Sequence, residues 1–398
     1  MKKTLLLTFI HGFKGDESTF GDNYAFTEDL RRRVATVLPK INVRVEVYPK
    51  YETRGDLGEC VGRFRDWLLN KVIDLEVTAG TPSPTVDPSV RVLLVGHSMG
   101  GIVAAETAIS LASEKPIHGT TDPSIHDDNP SAAPPRPPTP NSLMFPYIQG
   151  VLAFDTPFLG VSPGVVAHTA EGHYATASAT IAQLSGLTGL WGGAKAADSK
   201  VPAQRKAVGA LPAPEAKTEE NKNAGGWGRW GKIAVAVGAV GAVAASGAAA
   251  YYNKDQLTQG WTWAASHMEF VGCLARKEEL RRRVAYMVRL NRELGVGFGN
   301  LYTRLGKAAV SRTDSVVGTV LGNERTFCVV PQKDKAGDWR PAVNNKATDE
   351  VMAHMSMFEP KENPAYEAMA NEARDMIATW TKNDWYESSG ETIRSREL

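Results

Sequence analysis

The stretch RVLLVGHSMGGIVAAE, Arg91 to Glu106, sets an apolar run against an Ala-rich one. Val90 to Val95 has the length and composition of a buried strand, and Gly101 to Ser113 reads as a helix. Between them stands GHSMG, Gly96 to Gly100, whose two glycines suit a turn too tight for side chains. A serine at the apex of such a strand–turn–helix joint is pushed into a strained backbone conformation. A purely structural turn gains nothing from that strain, so the context favours Ser98 as a nucleophile over Ser98 as a small turn residue. The helix start behind it adds partial positive charge and N–H groups that face an oxyanion. Met99 then supplies one donor of an oxyanion hole. The second is expected from FIHGFKG, Phe9 to Gly15, with Phe13 the first choice and Lys14 the next.

Outward from that joint the alternation repeats. Thr4 to Ile10 reads as a strand, residues 24–38 as a helix, Ile41 to Tyr48 as a strand, Gly62 to Val77 as a helix, and Gln149 to Phe154 as a strand. Such alternation over the first 160 residues implies the α/β class, with a mostly parallel, doubly wound sheet. Ligand chemistry in such sheets gathers at the carboxyl ends of the strands. His11-Gly12, Gly96-His97-Ser98 and Asp155 all stand at such ends. Further on, Trp261 to Leu294 reads as one or two amphipathic helices and Arg325 to Val330 as a strand. A last helix is expected from an Asn363 cap, with Pro364 in its first turn, through Ile377.

Composition narrows the function classes. The 398 residues are 42% hydrophobic, enough for a sizeable core. The 45 basic and 44 acidic side chains nearly cancel, which argues against nucleic acid as a partner. Cys60, Cys273 and Cys328 have unrelated spacings and suggest neither a disulfide framework nor a metal site. No metal or cofactor is expected. The opening MKKTLLLTFIHGF is too short in its apolar run for a signal peptide and reads better as a first strand. The chain is therefore expected inside the cell, cytoplasmic or membrane-associated.

Three blocks are expected: residues 1–160 and 326–398 forming a core, and 161–325 an insertion before the last strands. Residues 121–141, TDPSIHDDNPSAAPPRPPTPN, read as a Pro-rich surface loop, with PPRPP a candidate ligand for a protein partner. Residues 232–252 are apolar and uncharged beyond Lys232, with Trp227, Trp230 and a Tyr pair at the ends. That length fits a membrane helix, although Ala and Gly dominate it; a buried Ala/Gly helix is the equal alternative.

FIHGFKG, VGHSMGG and LAFDTPFLG, in this order, resemble serine esterases of the α/β-hydrolase superfamily, a group related to lipases and to inositol deacylases of GPI anchors. A late DEVMAHMSMF, Asp349 to Phe358, resembles uncharacterised fungal members. The resemblance covers roughly 1–160 and 325–380, and implies a Ser-His-Asp triad. It places the general base at His354, after the last strand and before the final helix, over His11, His118, His126, His168, His173 and His267. Three sources remain open for the acid. Asp155 ends a strand where some lipases carry their acid, or it simply holds its turn. Asp334 and Asp338 follow the strand expected at 325–330, the more usual place. Asp349 precedes His354 by five residues, which on one helix would point the two apart.

The function expected from all this is hydrolysis of a carboxylic ester, a lipid ester above others, through an acyl-enzyme. A catalytically silent scaffold is the alternative from another class. A thioesterase or peptidase is the alternative within the fold.

Overall fold

Strands that are apolar on both faces need helices on both sides. The computed structural model describes residues 2–16, 18–53, 55–114, 143–163, 165, 271–307, 325–331 and 337–390. Its strands are Thr4–Ile10 (β1), Asn42–Val47 (β2), Val90–His97 (β3), Ile148–Phe154 (β4), Gly297–Leu305 (β5) and Asp338–Asn344 (β6). They form one sheet in the order β2-β1-β3-β4-β5-β6, every pair parallel. The order reverses between β1 and β3, which leaves a crevice beyond their carboxyl ends.

The helices are Ala25–Val37 (α1), Leu57–Ala79 (α2), Met99–Ser113 (α3), Lys277–Leu294 (α4), Glu350–Met355 (α5) and Tyr366–Trp380 (α6). Side chains alternate across each strand, so β1 serves both layers. Leu5, Leu7 and Phe9 pack into a core with Phe26, Leu30 and Val34 of α1 and Met369, Ala370 and Met376 of α6. Helices α2, α3 and α4 pack side by side and cover the other face. Each fully buried Leu or Phe contributes roughly 1.5–3 kcal/mol relative to exposure. These elements belong to a unit built from Met1–His173 and Ala264–Leu398.

The second half of the sheet departs from expectation. Residues 325–330 form no strand of their own; they make two isolated antiparallel bridges, Arg304 with Thr326 and Val161 with Cys328. The fifth strand is instead β5, which comes from within the expected insertion. Its Gly297 and Gly299 lie under Trp380 and Met376 of α6, where a Cβ would come within 2.1 Å of either side chain. Missing side chains thus hide the apolar run that would mark a buried strand. The sixth, DWRPAVN, is an edge strand with Pro341 and mostly half-exposed side chains, so its sequence carries no alternation. Helix α2 begins earlier than expected because Asp56 caps it, accepting from Gly58 N at 2.6 Å and Glu59 N at 3.3 Å. Helix α6 begins at Tyr366, with Asn363-Pro364 in the turn before it, and continues to Trp380.

Among the described residues no helix is long and apolar enough to cross a membrane. The candidate span 232–252 and the Pro-rich stretch 121–141 lie outside those residues.

Candidate active site

Ser98 joins β3 to α3 with φ 53° and ψ −127°, left-handed backbone that a serine holds at a cost of order 1–3 kcal/mol. Its N–H donates to Phe154 O at 3.0 Å, and its carbonyl accepts from Thr156 Oγ1 at 2.9 Å and Gly101 N at 3.1 Å. Gly100 permits the turn: a Cβ there would lie 2.1 Å from the carbonyl oxygen of Ile10. Gly12 permits the β1 loop to close over it, since a Cβ at Gly12 would lie 2.6 Å from Ser98 Cβ. Ser98 itself is half-buried between runs of fully buried residues. As the first residue of α3, Met99 has an N–H with no intrahelical acceptor.

The β1 loop is tied to the chain that follows β2. Tyr51 Oη donates to His11 O at 2.9 Å, its ring stacks on the His11 ring, and its N–H reaches His11 Nε2 at 3.4 Å. His11 Nδ1 lies 2.9 Å from Gly12 O, and burial lowers the imidazole pKa. His11 therefore braces the strand end as a neutral ring. The Lys14 N–H donates to Thr53 Oγ1 at 3.1 Å, so that N–H is engaged in holding the loop.

At the end of β4, Asp155 is fully buried with φ 47°. Its carboxylate accepts from Thr303 N at 3.0 Å, from Thr303 Oγ1, and from His354 Nδ1 at 2.9 Å. Asn300, one strand over on β5, brackets the next residue. Its Oδ1 accepts from Thr156 N at 3.2 Å and its Nδ2 donates to Thr156 O at 3.0 Å. Strand β5 thus contributes the donors that hold the Asp155 carboxylate and the residue after it at the end of β4.

His354 is 5% exposed on α5. Phe327 stacks on its ring with centroids 3.7 Å apart and planes 16° from parallel. His97 stacks on it at 4.6 Å and 28°. Because His97 immediately precedes Ser98, that stack sets the imidazole beside the serine turn. Arg325 grips Glu350, the first residue of α5, through Nε–Oε1 at 2.8 Å and Nη2–Oε2 at 3.1 Å.

The other acid candidates lie elsewhere. Asp349 Oδ1 accepts from Met352 N at 2.7 Å and caps α5, so its carboxylate serves the helix start. Asp338 opens β6, at the amino end of the sheet and away from the serine turn, and pairs with Arg340 at 2.9 Å. Asp334, His118, His126, His168, His173 and His267 lie outside the described residues. None of the three cysteines is in a disulfide, and all are buried. Burial raises the Cys273 thiol to about 11, and burial together with the Asp155 carboxylate raises that of Cys328. Among the described residues no cluster of three or more His, Cys, Asp or Glu side chains could hold a metal ion.

No family model and no curated protein matches the chain. Among solved structures it is similar to the phospholipase PlaB from Legionella pneumophila, at 10% identity over 42% of this chain and TM-score 0.25. The match spans about a quarter of that phospholipase, 27% of its length. It is also similar to carboxylesterases of the thaumarchaeon Nitrososphaera gargenis, at 10% identity over 94% of this chain and 91% of theirs, with TM-score 0.32. The NocB thioesterase domain, solved with a covalent fluorophosphonate nocardicin G analogue, aligns at 12% identity over 95% of both chains, with TM-score 0.30. The architecture is an α/β-hydrolase fold. It rests on the strand order, the parallel pairing and the turn at Ser98 rather than on these distant likenesses.

Sequence reasoning passed over Thr303, Asn300, Phe327 and Tyr51. Asn300 and Thr303 left one signal, two buried polar residues inside the apolar strand GFGNLYTRL. Phe327 and Tyr51 left none, because their roles depend on contacts between distant segments.

Proposed function

We propose that the chain is a serine hydrolase of carboxylic esters, with Ser98 as nucleophile, His354 as general base and Asp155 as the acid. The observation that carries this reading is the buried Asp155–His354 hydrogen bond of 2.9 Å, whose imidazole is stacked on the residue preceding a strained serine. Ser98 Oγ attacks the acyl carbon while His354 Nε2 takes its proton. The N–H groups of Met99 and Phe13 receive the oxyanion. The imidazolium returns the proton to the departing alkoxide, and water then cleaves the acyl-enzyme by the same route. Asp155 holds the tautomer in which Nδ1 carries hydrogen, which leaves Nε2 to act as base.

A lipid ester is the substrate class we favour, on the strength of the apolar segment 232–252 and the long stretch inserted after β4. A fluorophosphonate probe tests the chemistry. Wild type should label covalently and cleave short p-nitrophenyl esters, and Ser98→Ala should do neither, with a rate loss of about 10⁴-fold or more. Labelling that persists in Ser98→Ala would end this reading, and a wild type that neither labels nor cleaves would favour the scaffold. A panel of long-chain esters, thioesters and peptides then assigns the leaving group.

A further inference from the structure

His97 carries a cost that neither the fold nor the triad explains. It is 6% exposed, and among the described residues its Nε2 is a buried polar atom without a hydrogen-bond partner. An orphaned buried polar group destabilises a fold by roughly 1–3 kcal/mol, and an apolar ring of similar size would remove that cost. What His97 touches accounts for it. Its ring stacks on His354 at 4.6 Å and meets Phe358 edge-on at 5.3 Å. Phe327 closes the opposite face of His354 at 3.7 Å. The imidazole of His354 is therefore clamped on both faces and pinned at Nδ1 by Asp155, so that Nε2 is the ring nitrogen left for a substrate-side role.

We propose that His97 is a positioning residue: its ring, with Phe327 opposite, fixes the rotamer of His354 so that the base addresses Ser98 without searching. This rests on the triad reading above. Its place in the chain suits it to the task. Its ring lies on that of His354 and its backbone leads directly into the nucleophile's own turn, so nucleophile and base share one rigid support. A neutral imidazole also adds no positive charge beside a ring that must become an imidazolium. Stacking on two π faces favours that cation in the transition state.

The test separates positioning from folding. His97→Ala should lower kcat on a short p-nitrophenyl ester roughly 10- to 100-fold with KM within about twofold, since a misplaced catalytic group costs rate more than binding. The downfield Nδ1–H proton resonance of the Asp155–His354 pair, sharp in wild type, should broaden or vanish. His97→Phe restores a ring face and should recover most of the rate and the resonance. Should His97→Ala fail to fold, Phe327→Leu, which opens the other side of the clamp, should show the same kcat loss and broadening. Wild-type kcat in His97→Ala, or equal losses in the Ala and Phe variants at matched thermal stability, would overturn the proposal. A failure of the triad reading looks different: wild type itself would not react with a fluorophosphonate. The resonance alone would then report whether His97 holds the imidazole, its persistence in His97→Ala counting against us.

Discussion

Ser98 is fixed almost wholly by backbone. Its N–H and carbonyl are bonded to Phe154 and Thr156 across the sheet, and glycines let neighbouring main chain approach to contact distance. His354, by contrast, rides on a six-residue helix whose place is set by side chains. Asp349 caps that helix, Arg325 grips Glu350, and Phe327 and His97 hold the ring. So short a helix has little stability of its own. The contrast teaches that one half of the site is inseparable from the fold while the other is adjustable. Damage to the first should appear as lost stability, and damage to the second as lost rate in a folded protein.

The most severe way to break that contrast is Gly100→Ala. The new Cβ would stand 2.1 Å from the carbonyl oxygen of Ile10, a backbone atom of a central strand, and cannot be relieved by rotating a side chain. We expect a loss of about 3 kcal/mol or more, read as a lower chemical-denaturation midpoint or as insoluble expression. A variant as stable as wild type, with only its rate reduced, would mean that the turn is softer than its contacts imply.

The same division explains what could be read from the sequence. Strands β1, β3 and β4 are continuous apolar runs, and GHSMG sits at a joint between two such elements, so backbone-built features leave a local trace. Asp155 was visible as a strand end but not separable from Asp334, Asp338 or Asp349. What distinguishes it is Thr303, 148 positions along the chain. Strand β5 was hidden because glycines stand where α6 packs, and β6 because an edge strand with a proline and charged side chains has no period. Phe327 was read as part of a strand and is in fact the face on which His354 rests. Contacts made by side chains between distant segments leave no periodic signature.

A milder break is Glu350→Gln. Glu350 has 3% of its side chain exposed and Arg325 23%, so the pair is shielded but not dry. Glutamine keeps the shape and one acceptor while removing the charge, so the helix should persist with a looser grip. We expect kcat to fall about tenfold, with a decrease of a few degrees in melting temperature. If melting falls while kcat stays at the wild-type value, the clamp stabilises the segment without positioning His354.

The smallest effect concerns pH, and it sharpens the contrast because two buried rings beside the serine turn, His11 and His97, are histidines whose charged forms are disfavoured. Burial lowers the pKa of His11 and lowers that of His97 well below 6.5, with His354 and His11 also opposing charge on His97. His11 additionally faces Asp16, which favours its charged form, and Lys50, which opposes it. In the unfolded chain both rings take a proton near pH 6.5. Between that value and their lower folded values the unfolded state holds more protons, so stability falls as pH falls, by at most about 1.4 kcal/mol per pH unit for one such group. Melting temperature should therefore decline between pH 7 and pH 5, ahead of the carboxylate range. His97→Phe should decline less steeply over that window, since the contribution of His97 is then removed. Superimposable profiles for the two proteins would show that His97 shares its proton equally between folded and unfolded states, which a ring clamped neutral against His354 does not do.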